Sequence, residues 1–366
     1  MPFSLFCWSC VMKLHKLCFA VIAFFSFVAI AESQSFQLPE SVKISFNGNA
    51  PAGHIQGVAT DGKFIYISYS VNILKCDFQG NVIKGIVTPR FDGFEDPKND
   101  LDELKNKYNV RTHHSGDCCF HDGKLYVTYS GSGFNKYLKG GYSYNYVYVF
   151  DSDLNFLTRY HVPEMEHGAG GMTFANGKFY LVGGRPFGVP GNTVYEYDSN
   201  FKLLKKHQLK INSDKGIQTI SWDGKYFWLG CYGIGEFSFL YDENFNTPFL
   251  IKGISAVGVI HSSDGSAALL FKDVMKNRRI ASTVAKRINV KEQLGKIYDF
   301  KIEGKDKFTF EGNPAEMNNV YAFLRYKDKN RIYIFIRYTK EASQESVARA
   351  VLLAQQLNIK FQLLAE

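Results

Sequence analysis

A short segment recurs five times along this chain, and it constrains the fold more than any other feature of the sequence. In each copy, Asp-Gly or Asn-Gly separates two runs that are rich in apolar and aromatic residues. These dipeptides accept the positive φ angles of a tight turn, so each copy predicts a β-hairpin. The five dipeptides begin at Asp61, Asp122, Asn176, Asp223 and Asp264. Such repetition predicts equivalent modules, stacked or arranged around an axis.

Further strands follow the hairpins. Residues 146–151 and 193–198 have the pattern of third strands, and residues 155–160 and 201–209 follow them as fourth strands. Four antiparallel strands in each repeat, without intervening helices, are typical of the blades of a β-propeller. The sequence therefore predicts an all-β fold, a five-bladed β-propeller over residues 36–302.

The number of blades depends on the segments at either end of the repeats. Residues 295–302 and 307–310 could complete a further blade, so a six-bladed ring is the alternative to five. Residues 41–46 precede the first hairpin, and we expect them to supply the outer strand that closes the ring.

The last part of the chain has a different pattern. Residues 320–325 and 331–338 are expected to pair as strands. Residues 344–357 carry apolar side chains at helical spacing, and a final strand is expected at 359–364. Residues 303–366 therefore predict a small C-terminal α+β appendage with the order β-β-α-β, and nothing in it suggests chemistry.

The N-terminus predicts export. Lys13 and Lys16 precede an apolar run over residues 17–31 that ends in small residues, which is the pattern of a cleaved signal peptide. Residues 1–31 are assigned to this signal, with 1–11 as an upstream extension, and an uncleaved membrane anchor is the alternative. No later run has this length, so we expect no membrane span after cleavage and a secreted or periplasmic protein.

Export would place four cysteines in an oxidising compartment. Cys76, Cys118, Cys119 and Cys231 remain once the signal is removed, and one or two disulfides are then allowed. Cys118 and Cys119 are adjacent on a predicted strand, so their side chains are expected on opposite faces. Buried free thiols are the alternative.

Charge and motifs narrow the range of functions. The formal net charge is +8, and the lysines are scattered along the hairpins, so no nucleic-acid partner is expected. The sequence contains no Gly-x-Ser-x-Gly, no His-Glu-x-x-His and no phosphate-binding loop. It therefore assigns no catalytic residue.

Histidines recur where the chain enters the inner strands. His54, His114 and His167 precede their turns, and Gln218 of the fourth blade aligns with Gln56 beside His54. Around a common axis these side chains would converge at the top mouth of the channel, opposite the Asp-Gly turns, and would suit a divalent metal. Hydrogen bonds between blades and general acid or base chemistry are the alternatives.

Two other residues bear on the metal hypothesis. Asp117 is the one carboxylate beside a repeated histidine, and it could orient His114, bind metal or cap the strand. His261 lies only three residues from its turn, so it is expected deeper in the channel or facing outward.

Glycine-rich loops after the second strands supply candidate ligand-binding residues at the same mouth. Glycine allows a close approach of backbone to ligand, and Arg185 is suited to a carboxylate or phosphate. Tyr142, Phe187 and Tyr232 are placed to stack on a sugar or an aromatic ring. Tight corners and a salt bridge between blades are the alternative interpretation.

The blade consensus carries a resemblance to known proteins. The pattern apolar-x-x-(Asp/Asn)-Gly-Lys-aromatic, followed by Val-Tyr-x-(Phe/Tyr)-Asp, resembles the superfamily of secreted β-propellers. Residues 54–67 resemble the opening blade of propeller-type glutaminyl cyclotransferases, but the later blades depart from that family, so its activity is not carried over. Three histidines with a glutamine are similar to the metal cluster of propeller oligogalacturonate lyases, which implies as ligands His54, His114, His167 and Gln218.

Two functions are therefore expected. The first is an exported propeller that binds a small molecule, a carbohydrate or a protein partner at the top mouth of its channel. The second is a metal-assisted hydrolase or lyase acting on a sugar or an ester, in which histidines hold the metal and Arg185 or Tyr232 holds the substrate.

Overall fold

A computed structural model describes most of the chain beyond its N-terminal segment. The described residues are 37–46, 51, 53–87, 112–132, 145–165, 168–184, 192–209, 211, 216–231, 237–246, 249–252, 258–276, 279–327, 329 and 331–366. The chain divides into two units, Met1–Gln37 and Leu38–Glu366, and all described elements lie in the second. The predicted signal peptide lies outside the described residues. Within those residues, no helix has the length and apolar composition needed to cross a membrane.

Five four-stranded antiparallel blades form the β-propeller that the repeats predict. The strands are β1 (Ser41–Ser45); β2 (Ile55–Thr60), β3 (Ile65–Tyr69), β4 (Asn72–Cys76) and β5 (Val82–Val87) in blade one; β6 (Thr112–His121), β7 (Lys124–Ser132), β8 (Asn145–Asp151) and β9 (Phe156–His161) in blade two; β10 (Ala169–Ala175), β11 (Lys178–Gly183), β12 (Asn192–Tyr197) and β13 (Leu203–Leu209) in blade three; β14 (Ile217–Trp222), β15 (Phe227–Cys231), β16 (Phe237–Tyr241) and β17 (Phe249–Lys252) in blade four; and β18 (Val259–His261), β19 (Ala267–Lys276) and β20 (Arg279–Asn289) in blade five. Five blades are confirmed, and the six-bladed alternative is wrong.

The N-terminal strand closes the ring. β1 pairs antiparallel with β20, from Ser41 opposite Lys286 to Ser45 opposite Ser282, so it is the outer strand of blade five. Val42 and Ile44 are buried while Ser41, Lys43 and Ser45 are exposed, which is the alternation expected of a strand with one covered face. The prediction for residues 41–46 is confirmed.

The repeated hairpin turns have two forms. In blades two and three the turn residues Asp122 and Asn176 have φ angles of 47° and 49°, and glycines with positive φ follow them, as the tight turn requires. In blade one the Asp61 carboxylate instead accepts the backbone N–H groups of Lys63 and Phe64, at 2.8 and 2.6 Å. The same carboxylate accepts the Tyr66 hydroxyl at 2.9 Å. Asp61 does not have the positive φ angle of Asp122 and Asn176, and it fixes its turn through its side chain.

A second repeated turn joins the third and fourth strands of the first four blades. In each, an aspartate Oδ1 accepts the backbone N–H groups two and four residues later, at 2.8 to 3.1 Å. These residues are Asp77, Asp151, Asp198 and Asp242. In blades two to four an apolar residue follows at a φ of about 60° and is buried: Leu154, Phe201 and Phe245. The turn thus both reverses the chain and fills the core.

The hydrophobic core lies between neighbouring blades. Separate buried clusters join blades one and two, two and three, three and four, and four and five. Cys118 belongs to the first cluster and Cys119 to the second, so the two side chains lie on opposite faces of β6 as predicted. Cys76, Cys118, Cys119 and Cys231 are all buried free thiols in the structure.

The C-terminal region continues the sheet of blade four. Its strand β21 pairs with β17, at Leu250 opposite Gly295 and Ile251 opposite Leu294. Residues 295–302 and 307–310 therefore belong to this region and not to a further blade. Its elements are α1 (Val290–Gln293), β21 (Leu294–Gly304), β22 (Lys307–Phe310), β23 (Asn313–Ala315), α2 (Met317–Leu324), β24 (Ile332–Tyr338), α3 (Gln344–Gln356) and β25 (Lys360–Ala365).

The predicted β-β-α-β order is corrected in this region. Residues 320–325, expected as a strand, lie mostly in the helix α2. Val320 and Leu324, four positions apart, are both buried against the core that contains α3, while Tyr321 and Phe323 are exposed. Helical spacing of the two buried residues prevails over the strand preference of the aromatic ones. The expected boundary at residue 303 also falls inside β21.

Candidate functional site

A β-bulge interrupts the inner strand of each of the first four blades at an equivalent place. The pairing of inner and second strands shifts register between Ile55 and Gly57, Ser115 and Cys118, Ala169 and Gly171, and Ile217 and Thr219. Bulges re-aim side chains and are frequent next to functional sites. The residues left without a direct partner are Gln56, Gly116, Asp117, Gly170 and Gln218.

Glycines at the bulges let the inner strands approach one another closely. A Cβ placed on Gly57 would lie 1.7 Å from Asp117 Oδ1 and 2.4 Å from its Cα. A Cβ on Gly116 would lie 2.2 Å from the carbonyl oxygen of Gly170. No side chain fits at either position, so the contacts between blades one, two and three near the axis depend on glycine.

Four polar side chains meet at the upper end of the channel, where the inner strands begin. Gln56 Nε2 lies 2.8 Å from His54 Nε2 and 3.3 Å from Ser70 Oγ. Gln218 Nε2 donates to Gln56 Oε1 at 2.5 Å, although these residues belong to blades one and four, which are not neighbours. The bond therefore crosses the axis. We call His54, Gln56, His114 and Gln218 the upper network.

His114 lies beside His54 on the next blade. The two ring centroids are 6.2 Å apart, and the His114 side chain is half-buried in β6 and not ahead of the strand as expected. Burial, assisted by the neighbouring His54, lowers the pKa of His114 to about 4. His114 is therefore neutral near pH 7 and has a lone pair available for a ligand.

Asp117 lies on the axis below this network. Its carboxylate accepts the backbone N–H groups of Cys118 at 2.8 Å and Ile220 at 3.4 Å, and that of Val58 as well. The three donors come from blades two, four and one. Burial raises the pKa of Asp117 well above its ordinary value in spite of these bonds. Among the described residues it does not bond to His114, so it joins three inner strands and does not orient the histidine.

A cavity of about 210 Å³ occupies the half of the channel nearer the Asp-Gly turns, and we call it the lower cavity. All five inner strands contribute to its walls, and Asp117 is part of its lining. On one wall the Ser221 hydroxyl lies 2.8 Å from His261 Nε2. Burial lowers the pKa of His261 to about 4, so this imidazole is also neutral near pH 7.

The structure brings together three of the four predicted metal ligands. His54, His114 and Gln218 meet in the upper network, while His167 lies outside the described residues. Within the described part of the chain, no three His, Cys, Asp or Glu side chains are placed to hold a metal ion. Nε2 of His54 is engaged by Gln56. These residues by themselves therefore do not form a complete metal site.

The predicted ligand-binding residues all lie outside the described residues: Tyr142, Arg185, Phe187 and Tyr232. The residues that sequence reasoning did not assign are Gln56, which links the upper network, and the pair Ser221 and His261. Alignment of Gln56 with Gln218 was a usable signal for the first. No sequence motif marks the second, because the two residues are 40 positions apart and meet only through the contact between blades four and five.

Comparisons with known proteins assign the chain to no family. No protein-family model matches the sequence. No curated protein matches it either. Among solved structures, a Bacteroides caccae protein of unknown function is similar, with 12% identity, coverage of 61% of this chain and 72% of that one, and a TM-score of 0.35. Native arabinanase of Bacillus subtilis has 13% identity, coverage of 66% and 97%, and a TM-score of 0.39.

A subtype N11 neuraminidase-like protein (A/flat-faced bat/Peru) is also similar, with 12% identity, coverage of 64% of this chain and 73% of that one, and a TM-score of 0.35. Such distant likenesses carry no argument about activity. The five blades around one channel, closed by β1, show that the fold is a five-bladed β-propeller, and the comparisons assign it to no family.

Proposed function

We propose that this chain is an exported β-propeller that binds a small polar ligand, such as a carbohydrate, at the upper network. One observation carries the proposal: the hydrogen-bonded series His54, Gln56 and Gln218 crosses the channel axis and has His114 beside it. Convergent polar side chains at the mouth of a preformed channel are typical of small-molecule sites.

The upper network retains hydrogen-bonding capacity for a ligand. His114 makes no hydrogen bond to a described residue, and the same is true of the Gln218 carbonyl oxygen. His54 is exposed, and Gln56 behind it is fully buried and fixed by three partners. A buried, fixed amide supporting accessible groups is a preorganised arrangement, which reduces the entropy lost on binding.

The loops that carry the predicted Tyr142, Arg185, Phe187 and Tyr232 follow second strands that end on this face. We include these four residues in the proposed site as its outer wall. Arg185 would favour a ligand with a carboxylate, such as a uronic acid. A protein partner bound through the same loops is the alternative occupant.

A binding assay with a matched control tests the site. A panel of neutral monosaccharides, uronic acids and their disaccharides is titrated into wild type, Gln218→Leu and Gln79→Leu, and thermal unfolding is followed. Gln79 lies exposed on an outer turn of blade one, so its substitution controls for the loss of an amide. We expect the ligand to raise the unfolding temperature of wild type and of Gln79→Leu. In Gln218→Leu we expect the affinity for the ligand to be about tenfold lower. Equal stabilisation of all three proteins would contradict the proposal.

Export is the part of the proposal that rests on Lys13, Lys16 and the apolar run over residues 17–31. N-terminal sequencing of the protein recovered outside the cytoplasm is expected to begin after Ala31. A recovered chain that still contains Lys13 would contradict cleavage.

A metal-assisted hydrolase or lyase is the second candidate. The observation that favours it is the neutral imidazole of His114 beside His54, because neutral imidazoles are common ligands of divalent metals. A third donor would have to come from outside the described residues, with His167 as the predicted one. Elemental analysis distinguishes the candidates: one bound metal per chain in wild type, lost in His114→Ala, would favour the enzyme, and metal-free protein that still binds sugar would exclude it.

A further inference from the structure

The lower cavity has the dimensions of a site for one small ring. Its volume of about 210 Å³ corresponds to about seven water molecules. Pockets for drug-sized ligands are larger, from about 300 Å³. Phe120, Phe174, Ser221 and Trp222 line the cavity and are only half-buried, so solvent reaches it.

The pair Ser221 and His261 can present either a donor or an acceptor to the cavity. If the Ser221 hydroxyl donates its hydrogen bond to His261 Nε2, the Ser221 oxygen remains free to accept a further hydrogen bond. If Nε2 carries the proton, the Ser221 hydroxyl is free to donate. The pair can therefore bind a ligand hydroxyl, which is itself both donor and acceptor, in either tautomer of His261.

Other polar groups of the cavity lack partners within the described residues. Thr173 and Thr219 line the cavity, and their hydroxyls make no hydrogen bond to a described residue. The buried Nδ1 of His261 also has no partner there. The two hydroxyls are therefore available to an occupant that carries several hydrogen-bonding groups, in place of the solvent that reaches the cavity.

Aromatic side chains form rigid walls of the same cavity. Phe120 stacks on Tyr66 with centroids 5.1 Å apart, and Trp222 packs against Phe227 at 4.5 Å. Phe174 stacks on His121. Apolar walls with a few fixed polar groups suit a ring that has hydroxyls at its edge and carbon–hydrogen bonds on its faces.

Burial disfavours charge on the titratable residues that line the cavity. Its titratable lining residues are Asp117, Cys118, Cys119 and His261. Burial raises the pKa of the carboxyl and of both thiols, and it lowers the pKa of the imidazole, so burial favours the neutral form of all four. A charged ring would lose its hydration without compensation.

We propose that the lower cavity is a second binding site, for a neutral polyhydroxylated ring of monosaccharide size, held by Ser221 with His261, by Thr173 and Thr219, and between aromatic walls. The site is separate from the upper network and does not depend on the function proposed for it.

Intrinsic fluorescence provides a selective measurement. Apart from Trp8 in the predicted signal, the tryptophans of the chain are Trp222, which lines the cavity, and Trp228, whose ring lies 4.6 Å from that of His261. Neither belongs to the upper network. Glucose, galactose and myo-inositol are titrated as neutral probes, with glucuronate and glucosamine as charged counterparts.

We expect a saturable fluorescence change with at least one neutral ring, and affinity about tenfold lower for its charged counterpart. Ser221→Ala and Thr219→Val are expected to weaken binding about tenfold each, whereas Gln218→Leu in the upper network leaves it unchanged. Ser45→Ala, an exposed serine of β1, controls for the loss of a hydroxyl. Thermal unfolding of each variant verifies that it is folded, and either of the two cavity variants suffices for the test.

The proposal is overturned by any of three results. These are no fluorescence response to any neutral probe, equal affinity for neutral and charged rings, or binding that survives in folded Ser221→Ala and Thr219→Val. Binding lost in Gln218→Leu alone would assign the ligand to the upper network and would refute the lower site while supporting the upper one.

Discussion

Substitution of Gly57 by alanine tests the convergence of the inner strands on the axis. The new Cβ would lie 2.4 Å from the Cα of Asp117, and an ordinary contact needs at least 3.4 Å. Strands β2 and β6 must therefore separate by about 1 Å. That separation weakens the hydrogen bond from the Val58 N–H to Asp117, worth about 1 kcal/mol, and adds the cost of overpacking, about 1–3 kcal/mol. We expect Gly57→Ala to lose about 3 kcal/mol.

The matched control is Gly304→Ala. Gly304 has an ordinary φ angle and no atom within 4 Å of a built Cβ, so its substitution is expected to change stability by less than about 0.5 kcal/mol. Urea unfolding followed by the fluorescence of Trp222 and Trp228 measures both variants. A Gly57→Ala protein as stable as the control would refute the close packing of blades one and two around Asp117.

Three other perturbations follow from the fold. Burial lowers the pKa of His114 and His261 from 6.5 to about 4, so between these pH values the unfolded chain takes up protons that the folded chain does not. The free energy of unfolding therefore falls as pH falls through this window, by up to about 3 kcal/mol for each histidine. In urea unfolding, His261→Gln should show a shallower fall with pH than wild type, and an unchanged slope would contradict this. Ile44→Ala, in the closing strand, should lower the free energy of unfolding by about 2–5 kcal/mol, because Ile44 is buried. Lys43→Ala, at an exposed position, should lower it by less than about 0.5 kcal/mol. Equal unfolding midpoints of the two variants would argue against the register of β1. Phe245→Ala removes a buried ring packed on Phe227, and in the same assay it should lower the free energy of unfolding by about 3–5 kcal/mol. A loss below about 1 kcal/mol would contradict the burial of this ring.

The fold was largely predictable from the sequence because its signals are local. Each Asp-Gly or Asn-Gly turn is read from two adjacent residues, and the apolar runs beside it alternate with the period of a strand. Residues 41–46 could be assigned to ring closure because a ring needs a final strand. Residues 320–325 could not be assigned correctly, because their helical form depends on burial of Val320 and Leu324 against α3, a contact that a local pattern does not contain.

The candidate site was predictable only in part. The repeats predicted that His54, His114 and Gln218 lie near the start of their inner strands, and the ring brings them together. The bulges that re-aim Gln56 and Gln218 arise from register between strands, which no single strand reveals. The pairing of Ser221 with His261 likewise depends on the contact between blades four and five.

Side chains from blades that are not neighbours meet on the channel axis. A double-mutant cycle between Gln56→Ala and Gln218→Ala measures this directly, because the two residues are 162 positions apart and share one hydrogen bond. We predict that the two losses of stability differ from additivity by about 0.5–1.5 kcal/mol, whereas Gln218→Ala combined with Gln79→Ala is additive. Additivity of the first pair within about 0.3 kcal/mol would contradict the account.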